Sequence, residues 1–306
     1  MAKNKIVLKF FEAFKIFKKS ISNFGSDQPM QMAGTTAYFA IFSMAPILII
    51  IISVFGYFTG DIAIREKLFD EINTLLGTES TRVLKNAIEN YNLAQKSGIG
   101  AVVGVLFFLI SATTLFSIMQ NSINYIWRVR VKSNFRMGLL NLAKTRLLSF
   151  GVILCLGFVL LVSLIVDASI AFLKDFLSTQ FNPDFVIFAQ IINMGVSLTI
   201  IAAVFALIYR FLPDVEVNWN ASWFGAVFTS VLFVVGKIAI GAIIGNSNLG
   251  VVYGAASSFI VILIWIYFVS IIFYFGVELT HQYSRFYQHS NKPAKFAVPF
   301  EIHKIK

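Results

Sequence analysis

The amino-acid sequence predicts an all-α membrane protein, a bundle of six transmembrane helices. Of its 306 residues, 58% are hydrophobic and only 13% are charged, whereas soluble domains contain about 25% charged residues. Six mainly apolar stretches are each long enough to cross about 30 Å of hydrocarbon, which takes about 20 residues in a helix. Lipid, rather than water, is therefore expected to surround most of this chain.

Stretches with few charged residues locate the predicted spans. They lie at about residues 35–58, 99–119, 147–173, 185–212, 221–244 and 255–279. Their apolar residues do not alternate with polar ones, as they would in the strands of a membrane β-barrel, and a helix satisfies its backbone hydrogen bonds within the segment. Pro46 lies inside the first span and is expected to bend it. Asn124 and Pro213 are interpreted as structural residues at the ends of the second and fourth spans.

The N-terminal segment, residues 1–34, is predicted to contain a basic amphipathic helix. Its apolar residues recur at helical spacing among lysines, at Ile6, Phe10, Phe14 and Phe17. Such a helix either lies on the cytoplasmic surface of the membrane or packs under the bundle.

A second helical segment is predicted between the first two spans, at residues 64–91. Gly77 is expected to break it into two short helices, which form an exterior cap packed against the spans. The whole chain is predicted to be one membrane domain, with the six-helix bundle at residues 35–280 and a basic cytoplasmic tail at residues 281–306.

The distribution of Lys and Arg predicts the orientation. Eighteen of the 25 lie in segments on the side of the chain termini, and six lie on the opposite side. The loop after the second span has six of these eighteen and no acidic residue. Because the cytoplasmic loops of membrane proteins carry the excess of Lys and Arg, both termini are predicted to be cytoplasmic.

Ionisable residues within the spans are candidates for a functional site, because each costs about 2.5–3.5 kcal/mol to insert near a helix centre. Asp167 in the third span and Lys237 in the fifth lie at matching depth, roughly 9–11 Å below the outer surface. They either pair and line an outward-facing polar cavity or extend separately to the headgroups. Arg210 and Glu278, at the cytoplasmic ends of the fourth and sixth spans, form either a second pair at the inner mouth or two ordinary helix ends.

Four segments, in this order and spacing, resemble the YihY/BrkB family of bacterial inner-membrane proteins, once mislabelled as ribonuclease BN. They are AYFAIFSMAP at 37–46, NSINYIW at 121–127, YRFLPD at 209–214 followed by Trp219 and Gly225, and VYGAA at 252–256 continuing through Trp265 to GVEL at 276–279. The resemblance extends over residues 30–284. It implies six spans and a location in the bacterial inner membrane. Functions proposed for the family include transport of lipids or envelope polymers and a part in serum resistance.

Two functions are compatible with these observations. In the first, the protein is a transporter or flippase of a lipid or another amphipathic envelope component. In the second, it is a membrane scaffold that recruits partners through its basic cytoplasmic segments. In both, the formal charge of +10 indicates contact with anionic lipid headgroups at the cytoplasmic face rather than with nucleic acid. Assembly into a homo-oligomer is left open.

The sequence lacks the residue patterns that enzymes and metalloproteins use. It has a single cysteine, Cys155, and all three histidines lie in the predicted tail, so no zinc-type spacing exists. No Gly-rich loop of the P-loop type is present, and the acidic residues outside the spans are scattered. Neither catalysis nor a cofactor nor a metal site is therefore predicted.

Overall fold

A computed structural model describes residues 2–59, 61–94, 98–131, 147, 151–152, 154, 158, 184–245, 252–288, 292–294 and 296–301. In these ranges the elements are α1 (Ala2–Ser26), α2 (Pro29–Thr59), α3 (Asp61–Ala94), α4 (Gly98–Ile126), β1 (Val129–Val131), α5 (Asp184–Phe211), α6 (Trp219–Gly245), a one-turn 3-10 helix (Gly254–Ala256), α7 (Ser257–Phe286) and β2 (Ala297–Pro299).

Within the described residues, four helical segments are long and apolar enough to cross a membrane. They are Pro29–Ile52, Met194–Phe211, Trp219–Ile244 and Ser257–Phe286. They coincide with the first, fourth, fifth and sixth predicted spans, which confirms a helical membrane protein. The second predicted span lies within α4, and the third, at 147–173, falls almost entirely outside the described residues.

Helix α7 lies at the centre of the fold, because it packs against α1, α2, α3, α4 and α6. It continues to Phe286, beyond the predicted end near residue 279. The prediction was wrong there because the last two turns are polar in sequence, yet Gln282 and Ser284 are buried against neighbouring elements. Tertiary contacts therefore extend the helix into the segment predicted to be the tail.

Helices α6 and α7 approach each other closely at two glycines. A Cβ atom at Gly276 would overlap the hydroxyl oxygens of Thr229 and Tyr209, and one at Gly225 would overlap Thr280. The Tyr209 hydroxyl donates to the Phe273 carbonyl oxygen at 3.0 Å. Hydrogen bonds and close backbone approach, which stabilise helix pairs in lipid, thus hold this crossing together.

Helix α3 forms the predicted cap. Gly77 has a positive φ of 78° and interrupts the helical backbone, which confirms the predicted break, since glycine adopts this conformation without a steric penalty. The break separates a first limb, residues 61–76, from a second limb, residues 78–94. Both limbs bury apolar side chains in a cluster with α2 and α7, among them Ile64, Leu68, Leu84 and Ile88. We call this end of the bundle the cap end.

The opposite end, which we call the terminal end, holds the end of α1, β1 and β2. One face of α1 packs against the bundle through Ile16, Phe17, Ser20 and Phe24. The ring of Phe17 lies 5.6 Å from that of Phe275 in α7. Phe11 and Phe14 are exposed. The C-terminal half of α1 is therefore packed against the bundle.

A two-stranded ribbon of three-residue strands accompanies the helices of the predicted all-α fold at the terminal end. Strand β1 pairs antiparallel with β2, so that Arg130 lies opposite Val298. The tail also pairs with the connection between α5 and α6, where the Ala294 amide donates to the Asp214 carbonyl oxygen at 3.0 Å. Strands of three residues carry too little pattern to be predicted, because they exist only through pairing between distant segments.

Candidate functional site

The terminal end contains an ion pair between two helix ends, with a buried carboxylate and a partly exposed guanidinium. Asp27 follows α1 and is buried, and Arg128 follows α4. The Arg128 Nη2 donates a hydrogen bond to Asp27 Oδ1, and its Nη1 donates to the Tyr125 carbonyl oxygen at 3.0 Å. The guanidinium carbon lies 5.2 Å from the centre of the Tyr125 ring, within the range of a cation–π contact.

Both helix ends reverse through strained backbone. Gln28, next to Asp27, has a φ of 54°, and Arg128 has a φ of 57°. This left-handed conformation costs a residue other than glycine about 1–2 kcal/mol. A left-handed residue commonly ends a helix, and here the two lie at and next to the residues of the ion pair.

Burial raises the pKa of the Asp27 carboxyl above its ordinary value, and the nearby Glu278 raises it further. The hydrogen bond and positive charge of Arg128 lower this pKa, and His281 lowers it as well. Because burial is the largest of these effects, Asp27 holds a proton more readily than an exposed aspartate does.

A groove of about 390 Å³ extends from Asp27 between α2 and α4. Most of its lining side chains carry amide, hydroxyl or carboxyl groups. The lining residues are Asp27, Gln28, Gln31, Met32, Thr35, Ile118, Asn121, Ser122 and Tyr125. Such a lining offers hydrogen-bond donors and acceptors to a polar ligand group, and Met32 and Ile118 offer it apolar contacts.

Behind the groove, hydroxyl groups connect α2 and α4 to α7. The Thr36 and Tyr274 hydroxyl oxygens are 2.6 Å apart and buried, and the Ser122 side chain hydrogen-bonds to Tyr274 as well. Because Ser122 also lines the groove, the groove wall is fixed to the central helix.

A second buried carboxylate, Asp214, joins α4 to the connection between α5 and α6. Its two carboxylate oxygens accept hydrogen bonds from Asn124 Nδ2 at 2.8 Å and Gln120 Nε2 at 3.1 Å. Its backbone amide donates to Asn124 Oδ1 at 2.9 Å. Asn124 therefore bonds both the side chain and the backbone of Asp214.

A third polar group surrounds Glu278 in α7. Glu278 is 1% exposed and accepts a hydrogen bond from Gln282 Nε2 at 2.8 Å. Its Oε2 lies 3.7 Å from His281 Nδ1, and the His281 ring lies 4.9 Å from the Trp127 ring. The charges of Glu278 and His281 both affect the pKa of the Asp27 carboxyl.

Comparison with known proteins identifies the family. The family described as virulence factor BrkB matches residues 20–298. The chain belongs to the BrkB family. This confirms the resemblance carried by the four sequence segments.

Relatives of this BrkB-family chain include proteins described as UPF0761 membrane proteins. The one from Psychrobacter sp. strain PRwf-1 is 25% identical over 88% of this chain and 48% of its own length. The one from Pseudoalteromonas translucida is 27% identical, over 83% and 81% respectively, and the one from Acinetobacter baylyi is 25% identical, over 93% and 66%. The chain thus spans between about half and four fifths of the length of these relatives. No solved structure matches it.

Arg210 and Glu278, for which the sequence left open a pair or two ordinary helix ends, do not pair in this BrkB-family protein. The Arg210 guanidinium lies over the ring of Trp219, 5.6 Å from its centre, whereas Glu278 bonds to Gln282. The sequence placed both residues at the same depth but could not give the direction of their side chains. Arg210 faces the start of α6, and Glu278 faces the polar groups at the terminal end.

The hypothesis about Asp167 and Lys237 stays a prediction, because Asp167 lies outside the described residues. Lys237 is half-buried in α6, and no acidic side chain in the described part of the chain forms an ion pair with it. Pro46 lies buried inside α2, which continues on both sides of it. Pro213 is buried just after the end of α5.

Sequence reasoning missed the roles of Asp27, Asp214 and His281. Asp27 and Asp214 were counted only among scattered carboxylates, and His281 was assigned to the tail. A signal existed for Asp214, because Asn124 and Asp214 both lie in segments that carry the family resemblance. Across the residues that the structure describes, no group of three or more His, Cys, Asp or Glu side chains is placed to share a metal ion.

Proposed function

We propose that this BrkB-family protein is a transporter or flippase, which moves a lipid or another amphipathic envelope component across the bacterial inner membrane. The observation that carries the proposal is the polar groove between α2 and α4, which is lined by the buried Asp27, the partner of Arg128. Polar groups beside membrane-crossing helices are costly and commonly mark substrate pathways. The groove would bind the polar head of the substrate while its apolar part stays in lipid.

The lining of the groove favours a polar but largely uncharged group. The charge of Asp27 is matched by Arg128, and the other polar lining residues, such as Gln31, Thr35 and Asn121, are amides and alcohols. Glycerol or sugar hydroxyl groups exchange hydrogen bonds with such side chains without leaving an unpaired charge buried. The proposed movement of the substrate requires no covalent chemistry.

The proposal includes six spans with both termini in the cytoplasm. Four described segments fit spans, and α4 and the sequence at 147–173 would supply the other two. The exposed Phe11 and Phe14 of α1 would then enter the cytoplasmic membrane interface. Neighbouring lysines, Lys15, Lys18 and Lys19, are exposed and would contact anionic headgroups.

The groove is tested by filling it. Thr35→Trp places a large ring in the groove, whereas Met30→Trp adds the same ring to an exposed position of α2 that does not line it. The full chain is reconstituted in vesicles of bacterial phospholipid, and movement of a fluorescent phospholipid between leaflets is followed by chemical quenching. We expect Thr35→Trp to reduce the rate to that of protein-free vesicles and Met30→Trp to retain the parent rate.

Equal rates for the two variants would refute a role of the groove in transport. If neither the parent nor any variant moved lipid, the scaffold function would be favoured instead. A truncation after Glu301 tests that function, because it leaves β2 and its pairing with β1 intact. If the truncated protein lost the function that the full chain performs in cells, while Thr35→Trp retained it, the scaffold function would be supported.

A further inference from the structure

The cap end contains a second cavity, independent of the groove. It measures about 790 Å³ and lies between the two limbs of α3. We call it the cap cleft. The first limb lines it with Arg65, Glu66, Phe69 and Asp70, and the second limb lines it with Arg82, Lys85 and Glu89. Its volume is in the range of sites for small ligands.

Packing of the cap does not account for the charged side chains in the cleft. Each limb already buries an apolar face in the bundle, with Leu68 in the first limb and Leu84 in the second. The charged cleft residues recur at helical spacing on the faces of both limbs that are not buried in the bundle. A surface formed by two facing limbs, and lined by charges of both signs, is therefore available to a ligand.

Two of the three basic groups of the cleft, those of Arg65 and Lys85, lack protein partners in the described part of the chain. The Nε of Arg65 is buried and has no hydrogen-bond partner, and no ion pair is formed there by Arg65 or Lys85. Arg82 instead binds Glu79, at 2.7 Å. Because buried donors in proteins are nearly always satisfied, the unsatisfied Arg65 Nε leaves this side chain with unused hydrogen-bonding capacity beside the cleft.

The acidic groups of the cleft point to a second part of that ligand. Glu66, Asp70 and Glu89 are exposed, and none of them forms an ion pair with a described residue. A ligand with an oxyanion alone would meet these carboxylates as like charges. A ligand that also carries an ammonium group would satisfy both sets of charges at once.

We propose that the cap cleft binds a zwitterionic ligand of the phosphoethanolamine type, with its phosphate on Arg65 and Lys85 and its ammonium group on the carboxylates. Ile62 and Phe69 line the same cleft and offer contacts to an apolar portion of the ligand. The first limb begins only two residues after the last residue of α2, so a lipid headgroup at the membrane surface is within reach. This site does not depend on the groove or on transport.

Binding is tested with the full chain in a nonionic detergent by isothermal titration calorimetry. The probes are dihexanoyl phosphatidylethanolamine, dihexanoyl phosphatidylglycerol, which lacks the ammonium group, and free O-phosphoethanolamine. We expect phosphatidylethanolamine to bind about tenfold more tightly than phosphatidylglycerol, as for the loss of one charge-assisted contact. Tight binding of free O-phosphoethanolamine would identify a soluble source, and binding of the lipid alone would identify a membrane source.

Single substitutions separate the two halves of the ligand. Arg65→Gln is expected to weaken binding of both lipids about tenfold, because the phosphate loses a charged donor. Asp70→Asn is expected to weaken binding of phosphatidylethanolamine about threefold, as for an exposed ion pair, and not to weaken binding of phosphatidylglycerol, which loses a like charge nearby. Lys85→Gln repeats the test of the phosphate half if Arg65→Gln does not fold.

The matched control is Lys67→Gln, which removes a positive charge from the same limb outside the cleft, where Lys67 pairs with Glu71 at 3.2 Å. It should bind both lipids like the parent. Equal binding of the two lipids by the parent would overturn the zwitterionic ligand. Parent-like binding by both Arg65→Gln and Lys85→Gln, or loss of binding in Lys67→Gln to the same degree, would overturn the site.

Discussion

Both ends of the helix bundle contain acidic and basic side chains, but these differ in burial and in hydrogen bonding. At the terminal end, Asp27 and Asp214 are buried, and each is hydrogen-bonded to side chains of other elements. At the cap end, Asp70 and Lys85 are exposed around an open cleft. Buried charges must be paired to be tolerated, whereas exposed charges contribute little to stability and remain available to ligands. Substitutions at the terminal end should therefore affect folding, and those at the cap end should affect binding.

The largest effect is expected at Asp214. Asp214→Ala leaves the side-chain amides of Asn124 and Gln120 without their acceptor in a buried site. Leaving a buried donor unsatisfied costs about 1–3 kcal/mol for each donor. The measurement is the thermal unfolding midpoint of the purified protein in detergent. The control is Glu216→Ala, which removes an exposed carboxylate from the same connection. Equal unfolding midpoints for the two variants would show that the hydrogen bonds of Asp214 do not stabilise the fold.

The next effect is expected at the crossing of α6 and α7. Gly276→Ala introduces a methyl group where the Thr229 and Tyr209 hydroxyl groups lie, and overpacking of this kind costs about 1–3 kcal/mol. Gly241→Ala, in α6, meets no atom within 4 Å and should be neutral or stabilising by up to about 1 kcal/mol. The thermal unfolding midpoints of the two variants are compared with that of the parent. A Gly276→Ala protein as stable as the parent would contradict the close approach of α6 and α7.

A smaller, pH-dependent effect is expected for Asp27→Asn. Its net cost at neutral pH should be about 1 kcal/mol or less, because loss of the ion pair and relief of buried charge oppose each other. In the parent, the folded state raises the pKa of Asp27 above its ordinary value of 3.8. The stability from the bound proton is therefore present below that value and is lost as the pH rises through the raised pKa.

Asp27→Asn lacks this titration. The unfolding midpoints of parent and variant are compared from pH 4 to pH 7, and the difference should move in favour of the variant as the pH rises. Gln31→Ala, which alters a neighbouring uncharged groove residue, should follow the parent in its pH dependence. A difference that moves in favour of the parent would mean that Arg128, rather than burial, dominates the pKa of Asp27.

The smallest effect is expected in the cap cleft. Lys85→Gln and Glu89→Gln alter exposed charges, so each should change the free energy of unfolding by less than about 0.5 kcal/mol. The same thermal measurement applies. A loss comparable with that of Asp214→Ala would show that these charges serve the fold of the cap, and the contrast between the two ends would not hold.

Sequence reasoning predicted the elements of this fold better than its site. The membrane-crossing helices and the break at Gly77 were predictable, because long apolar runs and the conformational freedom of glycine are local properties of the chain. Asn124 was singled out, but as a residue of its own helix end, and its hydrogen bonds to Asp214 were missed. Arg210 and Glu278 were chosen for their depth, which the sequence gives, but whether they pair was left open, because the directions of side chains depend on how helices rotate against one another.

By itself, the sequence determined that this chain forms apolar helices in a lipid environment and that it resembles the BrkB family. Only the tertiary structure decided that Asp27 meets Arg128, that Asp214 is clamped by α4, and that the tail forms a strand beside β1. The physical reason is the range of the interactions. Hydropathy and backbone preference act within a segment, whereas each of these polar contacts joins segments that are far apart in the chain and meet only after the helices have packed.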